Sequence, residues 1–547
     1  MKRILISLVI SLSVATSNSH ADTSVADIAD DKPTAPLLEG IGPLKFPIST
    51  SVPRAQAYFN QALTLAFGFN HAEAVRSFRE AARLDPTCGI CYWGVALALG
   101  PNINAPMGQE AVAPAWQAVQ DALARREFEN EREQAYIDTI ASRYSEDGTD
   151  RKTLDILYAG AISGLVERYP DDLHARTLHA EALMDLMPWA YWSDDGSPAN
   201  DHTITLVNEL ETVLARNPEH PGAAHLYIHA MEQFEPHKAV AAADTLGPLV
   251  PVAGHLVHMP SHIYLRVGRY ADAVDANAKA ALADEDYIAQ CNAQGLYPAA
   301  YYPHNVHFLW YAAMMEGRKA LAIENALKLK ERVPREMAKM MGALQSYIAV
   351  PEYTYVRFSM WDEILELEPP GDDLPFALAM HLYARGIAQA SLGRTDEARA
   401  TLADLQALAQ TDSIQGINMR RDGVMPSLMG IATGLVSARL ARQDGDYAAE
   451  IEHLAQAVEY QDSLPYAEPP MWHYPIRQTL GAAQLRLGQS EAAAETFSKD
   501  LEHFPANPWS LYGLEQAEAQ QGNSVSELVK ARQHAWRNAD IAPSVSW

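Results

Sequence analysis

Asn70-His-Ala-Glu-Ala-Val-Arg-Ser-Phe-Arg-Glu-Ala-Ala-Arg-Leu-Asp-Pro86 places Ala74, Phe78 and Ala81 four and three residues apart, with Pro86 five further on. Residues at that spacing share one face of a helix. The alanines let a second helix approach closely, the phenylalanine fills the gap to the next pair of helices, and the proline, lacking an N–H, ends the unit. Similar stretches recur outward from it, at Val267-Gly-Arg-Tyr-Ala-Asp-Ala273, Glu316-Gly-Arg-Lys-Ala-Leu-Ala322, Leu392-Gly-Arg-Thr-Asp-Glu-Ala398 and Leu487-Gly-Gln-Ser-Glu-Ala-Ala493. In each a turn glycine stands five residues before a contact alanine, and Gly488 and Gly522 are 34 apart. Alanine and leucine abound while β-branched runs are scarce, so the chain is expected to be essentially all-α.

These units resemble tetratricopeptide repeats over roughly residues 54 to 535, with irregular insertions near 100 to 150, 188 to 202 and 286 to 302. The resemblance implies a right-handed α-solenoid of stacked helical hairpins. The strings FNHAEAVRSFREAARLDP, CYWGVALALGPNINAPM and GHLVHMPSHIYLRVGRYADAVDAN are similar to a group of secreted bacterial tetratricopeptide proteins, which supplies architecture and little chemistry. The expected organisation is a signal peptide over 1–21, an N-terminal linker over 22–53, N-terminal and central repeats over 54–350, C-terminal repeats over 351–535 and a tail over 536–547.

Numbering the repeats carries the functional reading. With Gly268 and Ala273 as turn glycine and contact alanine, one unit begins at Gly254 and holds His255, His258 and His262 at positions two, five and nine. The next begins at Pro303, with His304 and His307 at two and five, Tyr311 at nine, and Met314 and Met315 after it. The preceding unit, from Pro221, holds His225 at five, His229 at nine and Glu232 at twelve. Further units place His174 at two, Glu181 at nine, Glu352 at nine and Tyr355 at twelve. In the family these positions line the concave groove, so the resemblance implies that the histidines face one another across it.

Neutral imidazole is the commonest metal ligand, and i, i+4 pairs such as His225 and His229 can grip one ion from a single helix. His225, His229, His255, His258, His262, His304 and His307 are the candidate metal ligands. Glu232 is a candidate base, and Glu181 and Glu352 could complete a shell. Copper, zinc, iron and manganese all suit histidine with carboxylate, and Met259 with Met314 and Met315 tilts slightly toward copper. Asn102 and Asn104, in the amide-rich loop Gly100 to Met107, are candidate groove contacts, together with Tyr311 and Glu352. The aromatic inserts Met187–Trp192 and Tyr297–His304 would cap the groove. Three readings stay open: a binding protein for a metal ion or metal-containing ligand, a hydrolytic or oxidative metal enzyme, and a peptide- or protein-docking adaptor of the cell envelope without metal. His71, at a turn, and His381, off the groove, read as structural.

Lys2 and Arg3 before the apolar run Ile4 to Ala15, with small residues around Ala21, read as a secretory signal, so a periplasmic or secreted protein is expected. Its removal would take the formal charge from −27 to −29. That balance argues against nucleic acid and anionic membrane, and no stretch reaches the length of a spanning helix. Three cysteines are too few for a disulfide scaffold. Cys88-Gly-Ile-Cys91 is expected to close a local disulfide, with a redox pair or metal ligation as alternatives, leaving Cys291 single. No haem-attachment histidine follows Cys91, and the chain has no phosphate loop, dinucleotide fingerprint or nucleophile elbow. His225-Leu-Tyr-Ile-His229 has Leu226 where a zinc peptidase carries its base, which argues against that class.

Overall fold

A computed structural model describes residues 33–148, 150–291, 301–419 and 423–544. The expected signal peptide, and the first half of the insert Tyr297–His304, lie outside them. Among the described residues every regular element is helical, and β-structure is limited to the isolated bridges Asn102–Ala105 and Trp192–Pro198. The helices pair as antiparallel hairpins, for example Pro53–Phe67 with His71–Leu84 and Arg477–Arg486 with Ser490–His503.

The turns explain the recurring glycines. Gly268, Gly317, Gly393, Gly445, Gly488 and Gly522 all have φ between 72° and 81°, the left-handed region. The next residue then donates back five positions, as Arg269 N–H does to the Tyr264 carbonyl at 2.8 Å and Gln489 N–H to Gln484 at 2.9 Å. In the first hairpin Asn70 N–H closes the same turn on Leu65 at 2.9 Å, but the left-handed position is held by Phe69, φ 56°. A non-glycine side chain there costs roughly 1–2 kcal/mol, a strain whose use emerges below.

Phe78 fills the space between hairpins as its spacing implies. A Cβ on Gly94 would stand 2.3 Å from its ring, and Phe497 lies equally close to Gly513. Gly94→Ala is therefore expected to destabilise the fold by about 1–3 kcal/mol. Gly160→Ala, on an exposed helix face with open space around it, should instead stabilise by about 0.5–1 kcal/mol. Urea unfolding of the two variants checks the contrast.

The coil does not stay open. Residues 33–52, expected as a linker, form a packed strap instead: Phe46 is buried against Phe59 and Tyr136, Leu38 N–H bonds Gln61, and Gly42 abuts Leu249 and Val250. The first hairpin also packs on the middle of the chain, with Phe67 against Gly222 and Gly68 against Leu256. From the other end, Trp509 donates its indole N–H to the Met315 carbonyl at 3.1 Å. Asp540, in the expected tail, caps the helix Lys319–Arg332 by accepting from Lys319 and Ala320 N–H at 2.6 and 2.9 Å. The central repeats are thus gripped from both termini, and the expected open groove becomes a closed interior. No helix among the described residues is long and apolar enough to cross a membrane.

Candidate metal centre

Four short elements set the histidines. The helix Pro221–Met231 carries His225 and His229 one turn apart on a buried face. Pro260 splits the following unit into Gly254–His258 and Pro260–Arg266, yet His255, His258 and His262 keep one face and all three are buried. His304 enters from the first turn of Tyr302–Glu316.

The rings form one continuous cluster, with centroid separations of 4.8 Å for His225–His229, 4.9 Å for His225–His255, 5.9 Å for His255–His258, 4.8 Å for His258–His262 and 4.9 Å for His258–His304. Within it the ligand atoms of His225, His229 and His255 lie within 4.8 Å of one another, as do those of His258, His262 and His304, and those of Glu232, His262 and Glu468. Nitrogens around a tetrahedral ion at about 2.0–2.1 Å stand roughly 3.3 Å apart, so a small contraction seats an ion in the His225–His229–His255 group, and in the other two once His262 gives up its proton.

Hydrogen bonds behind the rings fix which nitrogen faces inward. His225 Nδ1 is 2.5 Å from the Phe67 carbonyl, which only accepts, so Nδ1 carries the proton and Nε2 holds a lone pair. That Nε2 is buried without a hydrogen-bond partner among the described residues, and so are both nitrogens of His229. His258 Nδ1 is 2.6 Å from Asn277 Oδ1, while the Asn277 amide donates to the Ala273 carbonyl, which settles its orientation. His258 Nε2 then faces His262 Nε2 at 2.9 Å. A ring nitrogen donated outward to a carbonyl or amide, with its opposite lone pair turned inward, is how metal-ligating histidines are held.

The electrostatics divide the cluster. Burial, reinforced by neighbouring imidazoles, holds His225, His229, His255 and His258 well below the usual histidine range, so they are neutral. For His262 burial acts the same way but is outweighed by Glu232 and Glu468, which push it up to about 10. Their carboxylate oxygens stand 2.6 and 2.8 Å from His262 Nδ1 as ion pairs, so three ligand atoms crowd one point. Aromatic rings keep the cluster dry: Phe69 lies 4.5 Å from His225 and 5.6 Å from His255, Trp189 5.1 Å from His229, and Phe308 4.5 Å from His258. Covering the imidazoles is what the strained turn at Phe69 achieves. Beyond Glu468 a cavity of about 230 Å³ opens, lined by Tyr270, Tyr311, Tyr466 and Trp472 among others.

Several expected residues stand elsewhere. His307 stacks on Trp310 at 5.2 Å and lies tilted against Tyr347 at 4.9 Å, outside the three groups. Asn102 folds its own loop by accepting from Asn104 and Ala105 N–H, and Asn104 is exposed. Their loop touches the wall of the site through Ile103, whose carbonyl accepts from the Trp189 indole N–H at 3.0 Å. Glu352 faces His381 at 3.5 Å and Glu181 neighbours Arg143, so neither completes the shell. His174 contacts the Lys45 carbonyl and His220, each at 3.0 Å, on the wall of a separate trough of about 790 Å³. Met259, Met314 and Met315 belong to the hydrophobic core. Tyr311 lines the cavity rather than the imidazole cluster. Glu232 sits among the ligand atoms, the place of a ligand more than of a base. Cys88 and Cys91 are joined by a disulfide at the start of Gly89–Leu99. Sequence spacing gave no sign of Glu468 or Asn277.

The tetratricopeptide repeat profile matches residues 55–88. Among solved structures, the chain is similar to the human IFIT1 dimer with m7Gppp-AAAA, at 12% identity over 90% of this chain and 91% of that one, TM-score 0.30. It is also similar to the Cut9–Hcn1 hetero-tetramer of the APC/C, at 11% over 89% of each, TM-score 0.28. Yeast Tom70 is similar at 11% identity over 89% of this chain and 92% of its own, TM-score 0.26. No curated protein sequence matches the chain.

Proposed function

We propose that this chain, which carries a tetratricopeptide repeat at residues 55–88, binds a transition-metal ion in its closed interior through clustered histidines. One observation carries the reading: the His225, His229 and His255 ligand atoms converge in a buried space, with the His225 tautomer already set by the Phe67 carbonyl. Three neutral imidazoles without thiolate suit zinc or copper, and the Glu232–His262–Glu468 group suits iron or manganese. Burying imidazole nitrogens without partners costs roughly 1–3 kcal/mol each, a cost that an ion bound to them offsets. The repeat architecture at the same time supports protein or peptide docking on the outer surfaces of the coil. The Lys2–Ala21 segment and the Cys88–Cys91 disulfide support a periplasmic or secreted location.

A second reading, metal-dependent catalysis, is favoured by the cavity beside Glu468. An ion on that group would face a space able to admit water and substrate, the condition for an open coordination position.

The test is metal analysis of full-length protein stripped with chelator and reloaded separately with zinc, copper, iron and manganese. At least one equivalent retained through gel filtration, and lost in a His225→Ala/His229→Ala variant, is expected; no retained metal refutes the proposal. Asn277→Ala, which removes only the group orienting His258, should weaken binding at the second triad by about 10–100-fold, measured by competition with a chromophoric chelator.

A further inference from the structure

Arg357 closes the helix Val350–Arg357 and is 3% exposed. Its guanidinium lies flat over Trp509, 3.7 Å from the ring centroid, with Tyr474 5.3 Å away. Stacking satisfies the face of the group and leaves its edge. None of Nε, Nη1 and Nη2 has a hydrogen-bond partner among the described residues, and no carboxylate there comes within ion-pair distance. Arginine does not shed its proton in proteins, so this is a buried cation with five N–H bonds and nothing to receive them. Burial depresses its proton affinity to about 10, and the nearby rings and Asp500 offset it only in part. Asp500 is engaged elsewhere through one oxygen: its Oδ2 accepts from Ser510 at 2.5 Å, Asn507 at 3.2 Å and Gln478 at 3.4 Å, while its Oδ1 is buried without a hydrogen bond among the described residues.

The neighbouring groups share the same character. Tyr311 and Tyr270 hydroxyls and the Trp472 indole N–H are buried without partners, and all three residues line the cavity beside Glu468. Tyr311 links the two features: it forms cavity wall, and the Met314 and Met315 carbonyls one turn along its helix accept the indole N–H of Trp509, the ring that Arg357 covers. All four of these groups can donate, and Arg266 and Arg477 on the cavity wall balance the carboxylates of Glu468 and Asp462 there. A planar fork of N–H donors matches the paired oxygens of a carboxylate or phosphate. The aromatic walls suit an apolar body attached to that head.

We infer that Arg357, with Tyr311, Tyr270 and Trp472, forms a second ligand site that takes a small organic molecule bearing an oxyanion head, a carboxylate or phosphate. The site goes beyond the metal reading and does not depend on it.

Titration of chelator-treated full-length protein with inorganic phosphate and, separately, with benzoate tests this, read by tryptophan emission because Trp509 and Trp472 flank the site. Saturable binding of at least one probe is expected, and the tighter probe identifies the head group. Arg357→Gln, shown folded by circular dichroism, should weaken that binding at least tenfold, and Tyr311→Phe/Tyr270→Phe at least threefold. The proposal is overturned if neither probe saturates by about 10 mM, a weak limit for any specific site, or if folded Arg357→Gln binds as the parent does. Should Arg357→Gln fail to fold, the double phenylalanine variant decides alone, and unchanged binding overturns the proposal. Because the protein is metal-free, failure here leaves the metal reading standing, and the reverse also holds.

Discussion

Leucine in place of His229 is expected to lower zinc or copper affinity by about 10³-fold or more, since loss of a mere supporting partner already costs 10–100-fold. The same change should leave metal-free protein as stable as the parent, or slightly more so. Both His229 nitrogens are buried without hydrogen bonds, so removing them deletes a desolvation cost while leucine fills most of the space. A structural histidine would behave the opposite way, losing stability with no effect on metal. His307→Leu is the control: its ring packs against Trp310 and Tyr347 away from the ligand groups, so metal affinity should be unchanged. Chelator competition and thermal unfolding on the same preparations separate these outcomes.

Stripping the ion should itself weaken the fold. A ligand present at a thousand times its dissociation constant stabilises the native state by about 4 kcal/mol, and the cluster joins elements distant in sequence. Phe67 and Phe69 come from the first hairpin, His225 to His304 from the central repeats, and Glu468 from a loop near the C-terminus. Metal removal is therefore expected to lower the thermal midpoint, and readdition to restore it in proportion to free metal. An identical midpoint with and without chelator would contradict a resident ion.

The fold was legible because its constraints are local. A turn glycine, a contact alanine and a gap-filling phenylalanine each act within one hairpin, and Gly488, Ala493 and Phe497 behave as that logic requires. The histidine register was legible for the same reason, as His225, His229, His255, His258, His262 and His304 do meet. His307 departs from the expected set because Trp310 and Tyr347 hold its ring, while His304, three residues earlier, packs against His258 in the cluster. Glu468 was invisible to spacing: it arrives through closure of the coil, a contact between residues some two hundred positions apart. Phe69 carried a signal that went unused. It occupies a turn position where other repeats have glycine, and a bulky residue held at positive φ points to a purpose for its side chain.

The most direct measurement is X-ray absorption at the metal K edge of full-length protein reloaded with one equivalent of zinc or copper. The histidine triad predicts a nitrogen-dominated shell at about 2.0–2.1 Å, with the outer-shell scattering of imidazole rings, lost in His229→Leu. An oxygen shell without imidazole scattering, or a spectrum that His229→Leu leaves unaltered, would contradict a metal centre built from these histidines.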